Sequence, residues 1–90
     1  METITIDFTG AKNWDEVHAR ISKPLDFPEW YGKNLDALWD LLTGYIAPCN
    51  IIIKGTKKVS SEYLEYVQHI CRIFLRAEDI YKQIKIISIE

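Results

Sequence analysis

The apolar positions of this chain follow two different periods. Ile4, Ile6 and Phe8 recur at every second residue of 3–8, the pattern of a strand with one buried face. Residues 50–54 carry three consecutive isoleucines, a run suited to a short strand buried on both faces. Residues 84–89 form a third Ile-rich run. Between these runs the spacing changes to helical steps. Asn13 is placed to cap a first helix, and Glu16 completes a capping-box pair. Trp14, Val17 and Ile21 lie on one stripe of that helix, and Pro24 ends it. A loop over 25–33 holds Pro28 and Gly32. Asn34 caps a second helix that runs to about Thr43, with Gly44 as its stop. A further loop or short helical turn covers 55–60. Ser60 or Ser61 then caps a long last helix, whose Tyr63, Val67, Ile70, Phe74, Ala77 and Tyr81 mark one buried stripe.

Strands separated by helices predict βαβ units. The expected fold is α/β, with a three-stranded, mainly parallel sheet packed with about three to four helices in a single domain over 1–90. A chain of 90 residues is near the small end of what a hydrophobic core alone supports. The hydrophobic fraction of 48% and a net charge of −2 exclude intrinsic disorder. There is no apolar run of the roughly 18 residues that a membrane span needs. Residues 1–8 alternate and carry acids, unlike a signal peptide, which predicts a cytoplasmic location. Cys49 and Cys71 lack CxxC spacing and read as reduced core residues.

Charge changes the picture because it is unevenly placed. Residues 1–53 hold eight acids and four bases, whereas 54–90 hold five acids and seven bases. Residues 25–46 contain Asp26, Glu29, Asp36 and Asp40 against Lys33 alone, together with five of the eleven aromatics. The overall negative balance speaks against nucleic acid as a ligand. On a helical wheel Leu35, Leu38 and Leu42 share the core arc, and Asp36, Asp40 and Thr43 share the opposite one. Carboxylates four apart repel by a few tenths of a kcal/mol, and the helix N-terminus offsets this better for Asp36 than for Asp40. Fold stability alone therefore accounts poorly for Asp40. Exposed aspartates are ordinarily just solvated, but Trp39 at the rim and Trp30, Tyr31 and Tyr45 at the flanks suggest a contact surface. Either Trp30 or Tyr31 can serve the core, with Tyr31 the better candidate.

Other candidates carry less. His18 has no metal-ligand partner at a useful step and reads as a surface or hydrogen-bonded histidine. His69 and Cys71, two apart on a helix, cannot face one metal. Lys54, Lys57 and Lys58 are too few for a nucleic-acid patch and read as a solvated loop. No phosphate-binding, metalloprotease or nucleophile-elbow motif is present, so neither a cofactor nor a metal is expected.

Residues 26–44, DFPEWYGKNLDALWDLLTG, strongly resemble the signature of the barstar family, intracellular protein inhibitors of the ribonuclease barnase. The most specific part runs from Tyr31 through Gly32, Asn34, Leu35, Asp36, Ala37, Leu38 and Trp39 to Asp40, with Thr43 and Gly44. The resemblance implies a three-stranded parallel sheet and a non-enzymatic, one-to-one inhibitor that is monomeric when free. It implies that the acidic helix and preceding loop plug a ribonuclease active site. Asp40 would take the place of the substrate phosphate, and Asp36 would meet an Arg at the rim. Trp30 stands where the family commonly has a Tyr lying against the catalytic histidine. Asn34, Trp39, Thr43, Gly44 and Tyr45 would complete the contact.

The chain departs from that pattern in three ways. Arg76 stands where the family can have a partner-contacting glutamate, a reversal of charge. Trp30 replaces Tyr and Tyr45 replaces Trp, and the cysteines do not match in position. These departures point to a secreted or toxin ribonuclease related to barnase but distinct from it, so Arg76 joins the expected contact residues. A non-ribonuclease protein partner is the alternative reading. A third, in which Asp36 and Asp40 form a catalytic or metal-binding carboxylate pair, lacks a third ligand in the sequence.

Overall fold

The computed structural model describes residues 1–90. Its elements in chain order are strand β1 (Glu2–Asp7), helix α1 (Trp14–Ser22), helix α2 (Leu35–Gly44), strand β2 (Cys49–Lys54), a 3-10 turn (Ser61–Tyr63), helix α3 (Leu64–Tyr81) and strand β3 (Ile84–Ile89). The sheet is wholly parallel in the order β1-β2-β3, which confirms the expected α/β architecture with three α-helices. Each parallel pairing requires a crossover, and the helices supply it.

The register explains which isoleucines form the core. Ile4 pairs with Ile51, which pairs with Ile86, and Ile6 pairs with Ile53. These rows face the helices, where Val17 and Ile21 of α1, Leu38, Leu41 and Leu42 of α2, and Val67, Ile70 and Phe74 of α3 are buried against them. The other face of the sheet is largely open, which corrects the expectation of a β2 strand buried on both sides. Ile52 is only half-buried because it points away from the helices, between Thr5 and Ser88. A bulge between Ile51 and Ile52 leaves Ile87 without a register partner, and its side chain is 51% exposed.

The helix ends follow local chemistry. Asn13 Oδ1 accepts the Glu16 N–H at 2.9 Å, as expected of a cap. Glu16 returns to the Lys12 N–H at 3.3 Å rather than to Asn13. Neither Ser60 nor Ser61 caps α3. That helix grows instead out of the 3-10 turn, with Tyr63 at its cap position, so a preceding turn replaces side-chain capping. It ends at Lys82 in the left-handed conformation, φ 58°. Cys49 and Cys71 are free and buried, and burial raises both thiols, Cys71 to about 11.

Candidate functional site

The acidic face is built on α2 and the loop before it. Asn34 Oδ1 accepts the Ala37 N–H at 2.8 Å, and its Nδ2 donates to the Gly32 carbonyl at 3.2 Å. Asn34 thus joins loop to helix, so its side chain serves first as a structural clip. Leu38, Leu41 and Leu42 bury the inner face of α2. Leu35, expected in the core, is only half-buried, and Leu41 takes its place. The helix continues through Gly44, which has no left-handed geometry, and Tyr45 follows in right-handed helical geometry.

This orientation places Asp36 and Asp40 on the exposed face, and neither carboxylate engages a hydrogen bond or ion pair within the chain. The base in the same segment, Lys33, is turned towards Asp15 of α1 at 3.4 Å. Neither acid therefore has a cationic side chain beside it, and only Asp36, in the first turn of α2, has the helix N-terminus to offset its charge. No third His, Cys, Asp or Glu gathers around them at metal-binding spacing. Trp39 is half-buried beside this face, and its ring meets Tyr81 of α3 edge-on at 6.0 Å. The Thr43 hydroxyl donates back to the Trp39 carbonyl at 2.8 Å.

Next to Asp40 lies an open groove of about 400 Å³. Its walls are Trp30, Tyr31 and Gly32 from the loop, and Ala37, Leu41, Gly44 and Tyr45 from α2. Trp30 is 74% exposed and Tyr45 is 50% exposed, whereas Tyr31 is buried. The assignment of Tyr31 to the core is therefore correct. Phe27 meets Tyr31 edge-on at 5.0 Å and Tyr45 at 6.5 Å, which links the two walls beneath the surface. Of the expected contact residues, the groove gathers Trp30, Asp40, Gly44 and Tyr45. Asn34, Asp36, Trp39 and Thr43 lie on the same helix and its cap but outside the groove lining. Arg76 lies on the neighbouring α3, exposed and without a salt-bridge partner.

Sequence reasoning missed the groove floor. Ala37 and Gly32 leave space there that larger residues would fill, a signal visible only once loop and helix are brought together. Of the two readings of His18 the hydrogen-bonded one is correct, and what the sequence did not show is that its partners are Tyr31 and Tyr66. His18 is fully buried, with Nδ1 2.7 Å from the Tyr31 hydroxyl and Nε2 2.6 Å from the Tyr66 hydroxyl. Burial holds its pKa down at about 4; nearby Lys33 lowers it further and Asp15 opposes. The imidazole is therefore neutral at pH 7. Burial likewise raises the Tyr31 hydroxyl and lifts Tyr66 to about 12.

A small parallel α/β sheet with one open face thus carries, on one helix, two carboxylates without partners beside an aromatic-walled groove. Residues 1–87 match the Barstar (barnase inhibitor) family, and the chain belongs to that family. It is also 34% identical over 89 residues to a Bacillus subtilis (strain 168) protein named "Putative ribonuclease inhibitor YrdF", covering 97% of this chain and 98% of that one. Family membership places the chain among inhibitors rather than enzymes. No helix is long and apolar enough to cross a membrane.

Proposed function

We propose that this chain is a cytoplasmic, one-to-one inhibitor of a microbial ribonuclease of the secreted or toxin type, an immunity protein in function. The observation that carries this reading is the pair of carboxylates without side-chain partners, Asp36 and Asp40, beside an aromatic-walled groove on a capped helix. A ribonuclease site is built to hold polyanionic RNA, so it offers cationic side chains to such a face. Asp40 occupies the phosphate position and accepts charge-assisted hydrogen bonds from them. The groove beside it receives an enzyme side chain against Trp30, and Asp36 meets a cation at the rim. Trp39, Thr43, Gly44 and Tyr45 complete the contact, with Asn34 contributing through the helix terminus it holds. Clustered acids steer encounter with a cationic partner, so association slows as salt is added. The free protein is a monomer, and binding relieves the Asp36–Asp40 repulsion that it carries alone.

Arg76 belongs to the same surface and favours an acidic or neutral group opposite it. The charge there supports a second reading, a barstar-like module for a partner that is not a ribonuclease.

The deciding experiment is RNA cleavage by a panel of small microbial ribonucleases, with the gene neighbour's product included, titrated with this chain. Stoichiometric inhibition that weakens with salt and with Asp40→Ala is expected. Inhibition that is indifferent to Asp40→Ala overturns the mechanism. Recovery of a non-nuclease as the tight partner selects the second reading.

A further inference from the structure

We propose that Trp14, His18 and Tyr66 are positioning residues for the partner-binding loop, clamping it from behind through hydrogen bonds to Lys33 and Tyr31. The inference rests on the proposed function for the role of that loop, but the clamp itself is a property of the free chain.

Between Pro28 and Asn34 the chain forms neither helix nor strand. The backbone N–H of Tyr31 donates to the Pro28 carbonyl at 3.0 Å, and Asn34 Nδ2 reaches the Gly32 carbonyl. Two bonds this local hold a turn but not its orientation relative to α1 and α3. The orientation comes from side chains outside the groove. Trp14 Nε1–H donates to the Lys33 carbonyl at 2.7 Å, across nineteen residues of sequence. Lys33 is held in the left-handed region, φ 53°, a conformation that L side chains rarely adopt. It immediately precedes Asn34, so its carbonyl direction sets how the chain enters α2.

The second tether is the line Tyr31, His18, Tyr66. A neutral imidazole donates from one ring nitrogen and accepts at the other, so His18 accepts a hydrogen bond from one tyrosine hydroxyl and donates one to the other. This line ties the loop to α1 and α3 at once. The Trp14 ring joins both tethers, lying 4.5 Å from the Tyr66 ring and 5.2 Å from His18. Another aromatic ring would keep these ring contacts, so the Nε1–H bond to Lys33 is what singles out tryptophan at this position. An apolar residue in place of His18 would fill the same space without directing either hydroxyl. Directional bonds of this kind select one loop conformation, and a binding surface populated in its competent form loses nothing to ordering.

Trp14→Phe and Tyr66→Phe each keep a ring and remove one hydrogen bond. The first readout is amide hydrogen exchange of the free chain at Tyr31 and Ala37, whose N–H groups are bonded within the loop and its helix cap. Ile51 and Ile53 of β2 report global opening. Loss of one ordinary hydrogen bond predicts about fivefold faster exchange at Tyr31 and Ala37, beyond any change at Ile51 and Ile53. The second readout is inhibition across the ribonuclease panel, expected to weaken by a similar factor. Exchange that is unchanged in the loop, or that rises equally in loop and strand, overturns the clamp. So does loop loosening that leaves inhibition untouched. Should the loop loosen as expected while the unaltered chain inhibits no ribonuclease, the clamp stands and the ribonuclease reading falls.

Discussion

Glu78 of α3 accepts the backbone N–H of Ile86 at 2.6 Å, so a helix carboxylate occupies a donor on the edge strand β3. At the opposite edge Arg20 Nη1 donates to the carbonyls of Asp7 and Thr9 at 3.0 and 2.8 Å. Both borders of the sheet are thus occupied by charged side chains from the helices above. An open strand edge is a template for pairing with another chain, and charge at the edge blocks it. Glu78→Ala should lower stability by about 1–3 kcal/mol and promote concentration-dependent self-association. Sedimentation across a concentration series checks this, and a strictly monomeric variant contradicts it.

His18 makes stability depend on pH. Its folded pKa is depressed to about 4 from 6.5, so the unfolded chain takes up the proton first as the solution is acidified. The stabilisation is complete above about pH 6.5, falls progressively with pH, and is gone below about 4. The full step amounts to about 3 kcal/mol. Denaturant unfolding at pH 7 and pH 4.5 should show most of this loss, and His18→Gln should flatten the difference while lowering stability at pH 7.

Asp40→Ala should separate stability from binding. Removing one of two carboxylates four apart relieves a repulsion, so the free chain should be unchanged or stabilised by a few tenths of a kcal/mol. Affinity for the partner should fall by about 3–5 kcal/mol, because in the proposed complex the enzyme's cations would lose their counter-charge. Asp36→Ala should cost less affinity, since Asp36 lies outside the groove lining. Thermal melts and inhibition titrations on the same samples test both halves.

Two glycines should respond in opposite directions. Gly55 has φ +67°, and a Cβ there would lie 2.6 Å from the Thr9 backbone nitrogen and closer still to its hydroxyl oxygen. Gly55→Ala should therefore destabilise by more than about 1 kcal/mol. Gly44 ends α2 with open space around it, so Gly44→Ala should stabilise by up to about 1 kcal/mol. That methyl lines the groove, and inhibition should weaken even as the melting temperature rises.

Arg76→Glu should leave the fold within about 0.5 kcal/mol, because the side chain is exposed and has no salt-bridge partner. Its effect should fall on partner choice, shifting inhibition across a ribonuclease panel towards enzymes with a cation at that rim. An unchanged inhibition profile removes Arg76 from the contact surface.

The sequence by itself determined the elements, their order and the acidic helix, because those depend on spacing along the chain. The period of two in Ile4, Ile6 and Phe8, the caps at Asn13 and Asn34, and the Asp36–Asp40 step are local facts, and the structure keeps them. Tertiary structure decided what needs two distant segments in contact. It turned Ile52 to the open face, because all the helices cover the other side. It put Leu41 rather than Leu35 in the core, because packing against α3 fixes how α2 rolls. It brought Gly32 against Ala37 to open a groove, and it joined His18 to Tyr31 and Tyr66 across gaps of thirteen and forty-eight residues. A histidine that looks idle along the chain becomes a support of the binding loop once burial leaves its two nitrogens only hydroxyls to satisfy them.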